Sequence, residues 1–84
     1  MIDARAATDK AIAYFKTFFP EATKVITEEV ELTDDRKHWL VTVGYDSDDL
    51  AAPTQLIIGR SKKYKVFKID SESSEIVSMK IRTV

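Results

Sequence analysis

The sequence predicts an α+β fold, with one N-terminal helix packed on a four-stranded antiparallel meander in the order αββββ. Three observations carry this. Apolar residues recur with a helical period as far as Pro20, and with a period of two from residue 24 onward. The second region falls into four strand-like segments, divided by the turns "TDDRK" and "SESS" and by the longer loop "DSDDLAAPTQ". Eighty-four residues make one domain with a modest core.

Asp3 is placed to cap a helix that runs to about Phe19, where Pro20 stops it. At 100° per residue, Ala4, Ala7, Ala11, Phe15 and Phe18 share one side. Tyr14 lies at one margin of that stripe, and Ile12 and Phe19 lie at the other. The alanines let the helix approach a sheet closely, and the phenylalanines fill a wider gap at its far end.

In "KVITEEVELT", Ile26, Val30 and Leu32 alternate with Glu29 and Glu31. "HWLVTVGY" then alternates Trp39, Val41, Val43 and Tyr45 against Leu40 and Thr42. Pairing Leu32 with Trp39 matches Val30 with Val41 and Ile26 with Tyr45, but turns Glu28 inward opposite Val43. A bulge near Thr27 or a position at the core margin relieves that conflict, and a functional buried carboxylate is the less favoured reading. "LIIG" is expected to begin the third strand, with a bend at Gly59 before "KKYKVFKID". In the last hairpin, Phe67 is set opposite Met79 and Ile69 opposite Val77, leaving the loop Glu72-Ser73-Ser74. Such a loop puts its last residue, Ser74, in the left-handed region. The expected core face is Ile26, Val30, Leu32, Trp39, Val41, Val43, Phe67, Ile69, Val77, Met79 and Ile81.

Composition narrows the function classes. The chain has no cysteine, which removes disulfides, thiolate metal sites and a thiol nucleophile. No apolar run approaches membrane-spanning length and no secretory leader is visible, so a cytoplasmic location is expected. The net charge of −1 is uneven: residues 1–55 carry six Lys/Arg and eleven Asp/Glu, residues 56–84 seven and three. Acidic and basic strands lying side by side in one small fold would account for this.

The segments "YFKTFFP", "EEVEL", "HWLVTVGYD", "YKVFKID" and "EIVSMKIR" resemble short bacterial proteins similar to PepSY-like domains, of the cystatin-like set. The likeness spans nearly the whole chain and is most specific in the final hairpin, where Ser73-Ser74 replaces the usual Thr-Gly. It implies a helix wrapped by an antiparallel sheet and a role in protein contact, with peptidase inhibition as an alternative. The "QLIIG" at Gln55–Gly59 is close to the cystatin Gln-x-Val-x-Gly hairpin. It precedes the third strand, whereas the inhibitory hairpin follows the first, so the match reads as coincidence.

Catalysis finds no support in the residues. His38 is the sole histidine and reads as a solvated residue at a strand start, and two glycines cannot build a phosphate loop. "DSDDLAAPTQLI" lacks the glycine and glutamate of a calcium loop. No cofactor is implied. "KKYKVFKID" interleaves lysines with aromatics, which suggests nucleic acid, yet it lacks the glycine of an RNA-recognition strand and the chain is slightly acidic. Nucleic-acid binding through the basic third and fourth strands is therefore the weaker alternative. The candidate site is instead a partner-binding face away from the helix, formed by Leu40, Tyr64, Val66, Ile76, Lys80 and Arg82. It would serve an unidentified protein partner or a homodimer, with the Tyr64 ring under the Arg82 guanidinium.

Overall fold

A computed structural model describes residues 1–47 and 61–82. It has one helix, α1 (Ala4–Phe18), packed on four strands: β1 (Thr23–Leu32), β2 (His38–Ser47), β3 (Ser61–Asp70) and β4 (Ile76–Ile81). The strands form one sheet in the order β1-β2-β3-β4, and every neighbouring pair is antiparallel. The α+β class and the αββββ order are as the sequence predicts. The expected strand start at "LIIG", the bend at Gly59 and the "QLIIG" match lie outside the described residues.

Asp3 caps α1, its Oδ1 accepting from the Ala6 N–H at 2.8 Å. The last turn closes through Phe19 N–H to Phe15 O at 2.9 Å, and Pro20 follows. Ala7, Ala11 and Phe15 are wholly buried. The stripe, however, is turned toward its Ile12 and Phe19 margin, both of which pack on the core. Ala4 and Phe18, expected within it, are exposed, Phe18 at 54%. The aromatic contacts give the reason. Phe15 and Phe19 both meet Tyr45 of β2, with centroids 4.7 and 6.0 Å away, while Tyr14 meets Phe67 of β3 edge-on at 6.3 Å. The helix thus sits chiefly over β2 and β1, and its Tyr14–Phe18 flank faces the β4 side.

The β1–β2 ladder pairs Leu32 with Trp39 and Val30 with Val41, as expected. The expected bulge is present at Glu28, between the pairs Thr27–Val43 and Glu29–Thr42. Its consequence is larger than the sequence suggested. Ile26 now pairs with Gly44, points away from the helix and is 48% exposed, while Val25 packs on the core. A second irregularity at Lys24, with φ of 53°, shifts the register again before Thr23.

In the last hairpin Phe67 pairs with Met79, as predicted, but Ile69 pairs with Ile76. Val77 is the extra residue of a bulge and is 53% exposed. Ile81, also expected in the core, is 77% exposed at the far end of this edge strand. The loop holds four residues, Ser71–Ser74, closed by Ser74 N–H to Asp70 O (3.0 Å) and Asp70 N–H to Glu75 O (2.9 Å). The left-handed residue is where the sequence placed it: Ser74 has φ of 63°. Ser74→Gly is expected to raise stability by a few tenths to about 1 kcal/mol, because glycine adopts this conformation without a Cβ penalty. A thermal melt reads the gain, and a lower midpoint would refute it.

The core is therefore Ala7, Ala11 and Phe15 against Val41, Val43, Tyr45, Phe67 and Ile69. Val30, Trp39, Ile76 and Met79 pack around its edge. At one end, three separate segments are tied together. Ser71 donates its hydroxyl to Arg36 O and its N–H to Lys37 O, both at 2.9 Å. Its carbonyl accepts from Ile2 N–H at 2.8 Å, and Ile2 O accepts from Trp39 Nε1 at 3.1 Å. Ser71 is buried at 1% exposure, so these bonds are shielded from water.

Candidate interaction surface

Strand alternation fixes which side chains face away from α1. They are Glu29 and Glu31 on β1, Leu40 and Thr42 on β2, Tyr64, Val66 and Lys68 on β3, and Ser78 and Lys80 on β4. Arg82 follows just beyond β4, its N–H donating to Tyr64 O at 3.0 Å. Of the six residues singled out from the sequence, Leu40, Tyr64 and Val66 are half-buried on this face, and Lys80 and Arg82 are exposed on it. Ile76 is not there. The bulge at Val77 turns it to the helix side, where it pairs with Ile69 and packs on the core.

The charges on this face are organised across strands. The Arg82 guanidinium reaches across β3, and its Nη1 donates to Thr42 Oγ1 at 2.9 Å and to Glu29 Oε1 at 3.0 Å. That reach explains why Thr42 is only 4% exposed on an open sheet face. Lys62 Nζ meets Glu28 Oε2 at 3.0 Å, and Lys24 Nζ lies 3.9 Å from Asp46. The hydrogen bond with Glu28 holds the Lys62 ammonium above its ordinary pKa. It is Lys62, not Arg82, that lies over the Tyr64 ring, 5.9 Å from its centroid. The acidic and basic halves of the sequence are thus brought face to face. Each such exposed pair contributes about 0–1 kcal/mol.

Glycine has one clear role on this face. A Cβ at Gly44 would lie 2.5 Å from Glu28 Oε2 and 3.0 Å from its Cγ. The Glu28 side chain therefore lies along the bare backbone of β2 on its way to Lys62. Glycine within a strand and a misphased glutamate are the sequence traces of this arrangement.

A polar cleft of about 470 Å³ opens at the hairpin end, lined by Asp35, Arg36, Lys37, His38, Asp70, Ser71 and Glu72. Its two aspartates are committed to the turns. The Thr33 hydroxyl (2.6 Å) and then the Lys37 N–H (2.9 Å) donate to Asp35 and lower its pKa. The N–H groups of Ser73 (2.9 Å) and Glu72 (2.8 Å) do the same for Asp70. Both carboxylates titrate below their ordinary 3.8 in the folded state. Their stabilisation is therefore complete above the unfolded value and is lost as pH falls through the lower folded values. Asp70→Asn keeps an oxygen for both N–H groups but not the charge, and is expected to lower neutral-pH stability modestly while flattening its decline in acid. Urea midpoints measured from neutral to strongly acidic pH read this, and an undiminished acid slope would count against it.

A second cleft, of about 340 Å³, lies at the C-terminal end of α1 between Phe18, Phe19, Pro20 and Glu21 and the Tyr45–Asp46 end of β2. Lys65 Nζ sits 5.2 Å over the Phe19 ring beside it. Among the described residues, no group of three or more metal-binding side chains converges. None of their helices is long and apolar enough to cross a membrane.

Fold and surface together define an α+β domain with one helix on an open antiparallel sheet, whose free face mixes aliphatic and ion-paired side chains. Comparison with protein-family models, with curated proteins and with solved structures returns no match for this chain.

Proposed function

We propose that the chain is a small, non-enzymatic protein-interaction module of PepSY-like type, engaging a partner through the sheet face away from α1. The observation that supports this reading is the half-buried Leu40, Tyr64 and Val66 on an open sheet face, bordered by exposed Lys80 and Arg82. An aliphatic and aromatic centre with a charged rim is the usual make-up of a protein contact surface. The nucleic-acid reading fits less well, since Lys62 and Arg82 spend their charge on Glu28 and Glu29 within the chain.

Affinity capture with wild type and Tyr64→Glu side by side tests the proposal. Tyr64 is half-buried on the outer face and outside the core, so the variant is expected to fold, which circular dichroism checks. A protein held by wild type and lost by at least tenfold on Tyr64→Glu is the expected result. Equal recovery by both forms, or recovery of nucleic acid instead, would defeat it.

A further inference from the structure

The two edges of the sheet fit one another, and we propose that the chain assembles head to tail through them, β1 of one copy pairing antiparallel with β4 of the next. The proposal rests on the reading that this chain works by protein contact, but it uses a different surface from the Tyr64 face.

Hydrogen-bond parity comes first. Thr33 N–H donates to His38 O at 2.9 Å, so alternation directs the backbone groups of Glu31 and Glu29 toward β2. The N–H and C=O of Val30 and Leu32 then point outward from the β1 edge. On the other side, Arg82 N–H donates to Tyr64 O at 3.0 Å, which directs the groups of Arg82 and Lys80 toward β3. Those of Met79 and Ile81 point outward from the β4 edge. An added strand must set Val30 and Leu32 opposite Met79 and Ile81.

Side-chain chemistry then selects the register. Val30 opposite Ile81 and Leu32 opposite Met79 place apolar residues together on the helix side, where Val30 and Met79 already pack on the core. The same register puts Glu31 opposite Lys80 on the outer side, two charges with no ion pair among the described residues. It also sets Glu29 opposite Arg82, which are already paired within each chain. Sliding two residues either way sets Glu31 against Arg82 or Lys80 against Glu29, each already paired within its chain, and one of those slides runs into the bulge at Val77. The bulges at Glu28 and Val77 confine the fit to Glu29–Leu32 and Met79–Arg82, four residues on each edge.

The antiparallel order gives successive copies the same orientation, so the contact is heterologous and each addition leaves a fresh edge. A twist of roughly 20–25° per strand turns each copy by about 80–100°, which favours an open chain over a closed dimer.

Glu31→Lys and Lys80→Glu test this, because neither residue has an ion pair among the described residues. Light scattering of the full chain at low ionic strength, from micromolar to near-millimolar, is the measurement. The wild-type average mass is expected to climb with concentration to more than twice that of a single chain, and to fall back as salt screens the pairs. Each variant alone is expected to stay at the mass of one chain. Their equimolar mixture regains assembly, because the basic β1 of one meets the acidic β4 of the other. Ile81→Pro, which removes an outward N–H that β3 does not use, also abolishes it. A wild type that stays monomeric, single variants that assemble as well as wild type, a fixed dimer, or a mixture that fails to recover would each overturn the proposal. Tyr64→Glu is expected to assemble normally. Failure of edge assembly with partner capture still sensitive to Tyr64→Glu removes this inference alone, and the reverse removes the Tyr64 face alone.

Discussion

Phe15→Ala is expected to lower folding stability by about 3–5 kcal/mol, the usual cost of emptying a buried phenylalanine site. For a domain of 84 residues the whole stability is roughly 4–13 kcal/mol, so this single change takes a large share. Phe15 is fully buried and its ring meets three others: Tyr45 at 4.7 Å, Phe19 at 5.0 Å and Phe67 at 6.4 Å. Two strands and the helix end converge on it within the buried core. Phe18→Ala supplies the contrast. The helical period puts both residues on one stripe, yet Phe18 is 54% exposed, and its replacement is expected to change stability by less than about 0.5 kcal/mol. Urea unfolding followed by Trp39 fluorescence measures both. Equal losses would mean that the helix is seated as the bare periodicity suggests rather than rotated toward β2.

That contrast shows which features the sequence could carry. In β2 every apolar residue from Trp39 to Tyr45 except Leu40 has the same parity, so its inner face and its pairing with Leu32 and Val30 were readable. Glu28 broke the alternation of β1, and of the two ways to reconcile it, a bulge or a place at the core margin, the structure has the bulge. The left-handed Ser74 was placed correctly, although the three-residue loop it was drawn from holds four residues. "EIVSMKI" is ambiguous, because Ile76 and Val77 are apolar at both parities and alternation cannot choose between them. The bulge fell on Val77, which moved Ile76 from the expected partner face into the core. Outer-face ion pairs were illegible for a similar reason. The opposed charges of the two halves foretold acidic and basic neighbours, but which lysine meets which glutamate depends on two bulges in β1. Arg82 spanning β3 to cover Thr42 had no sequence trace.

Ser71→Ala is expected to cost about 1–2 kcal/mol, because it leaves the Arg36 carbonyl without its hydroxyl partner in a shielded site. For a domain of this size, that lowers the melting temperature by roughly 4–8 °C per kcal/mol. "SESS" reads as four interchangeable polar turn residues, and only the loop between β1 and β2 decides that Ser71 is the buried one. Ser71→Val is expected to be worse. It loses the same bond and forces extra bulk against a loop held by the Lys37 carbonyl. The clasp also reaches the N-terminus, since Ile2 bonds Ser71 through its N–H and Trp39 through its carbonyl. Trp39→Phe removes the indole donor and frees one side of that link. Losses from Ser71→Ala and Trp39→Phe should therefore couple by at least about 0.5 kcal/mol in a double-mutant cycle, whereas Ser71→Ala and Phe18→Ala should add. Strict additivity of the first pair would show that the N-terminal segment and the two loops are held separately rather than as one unit.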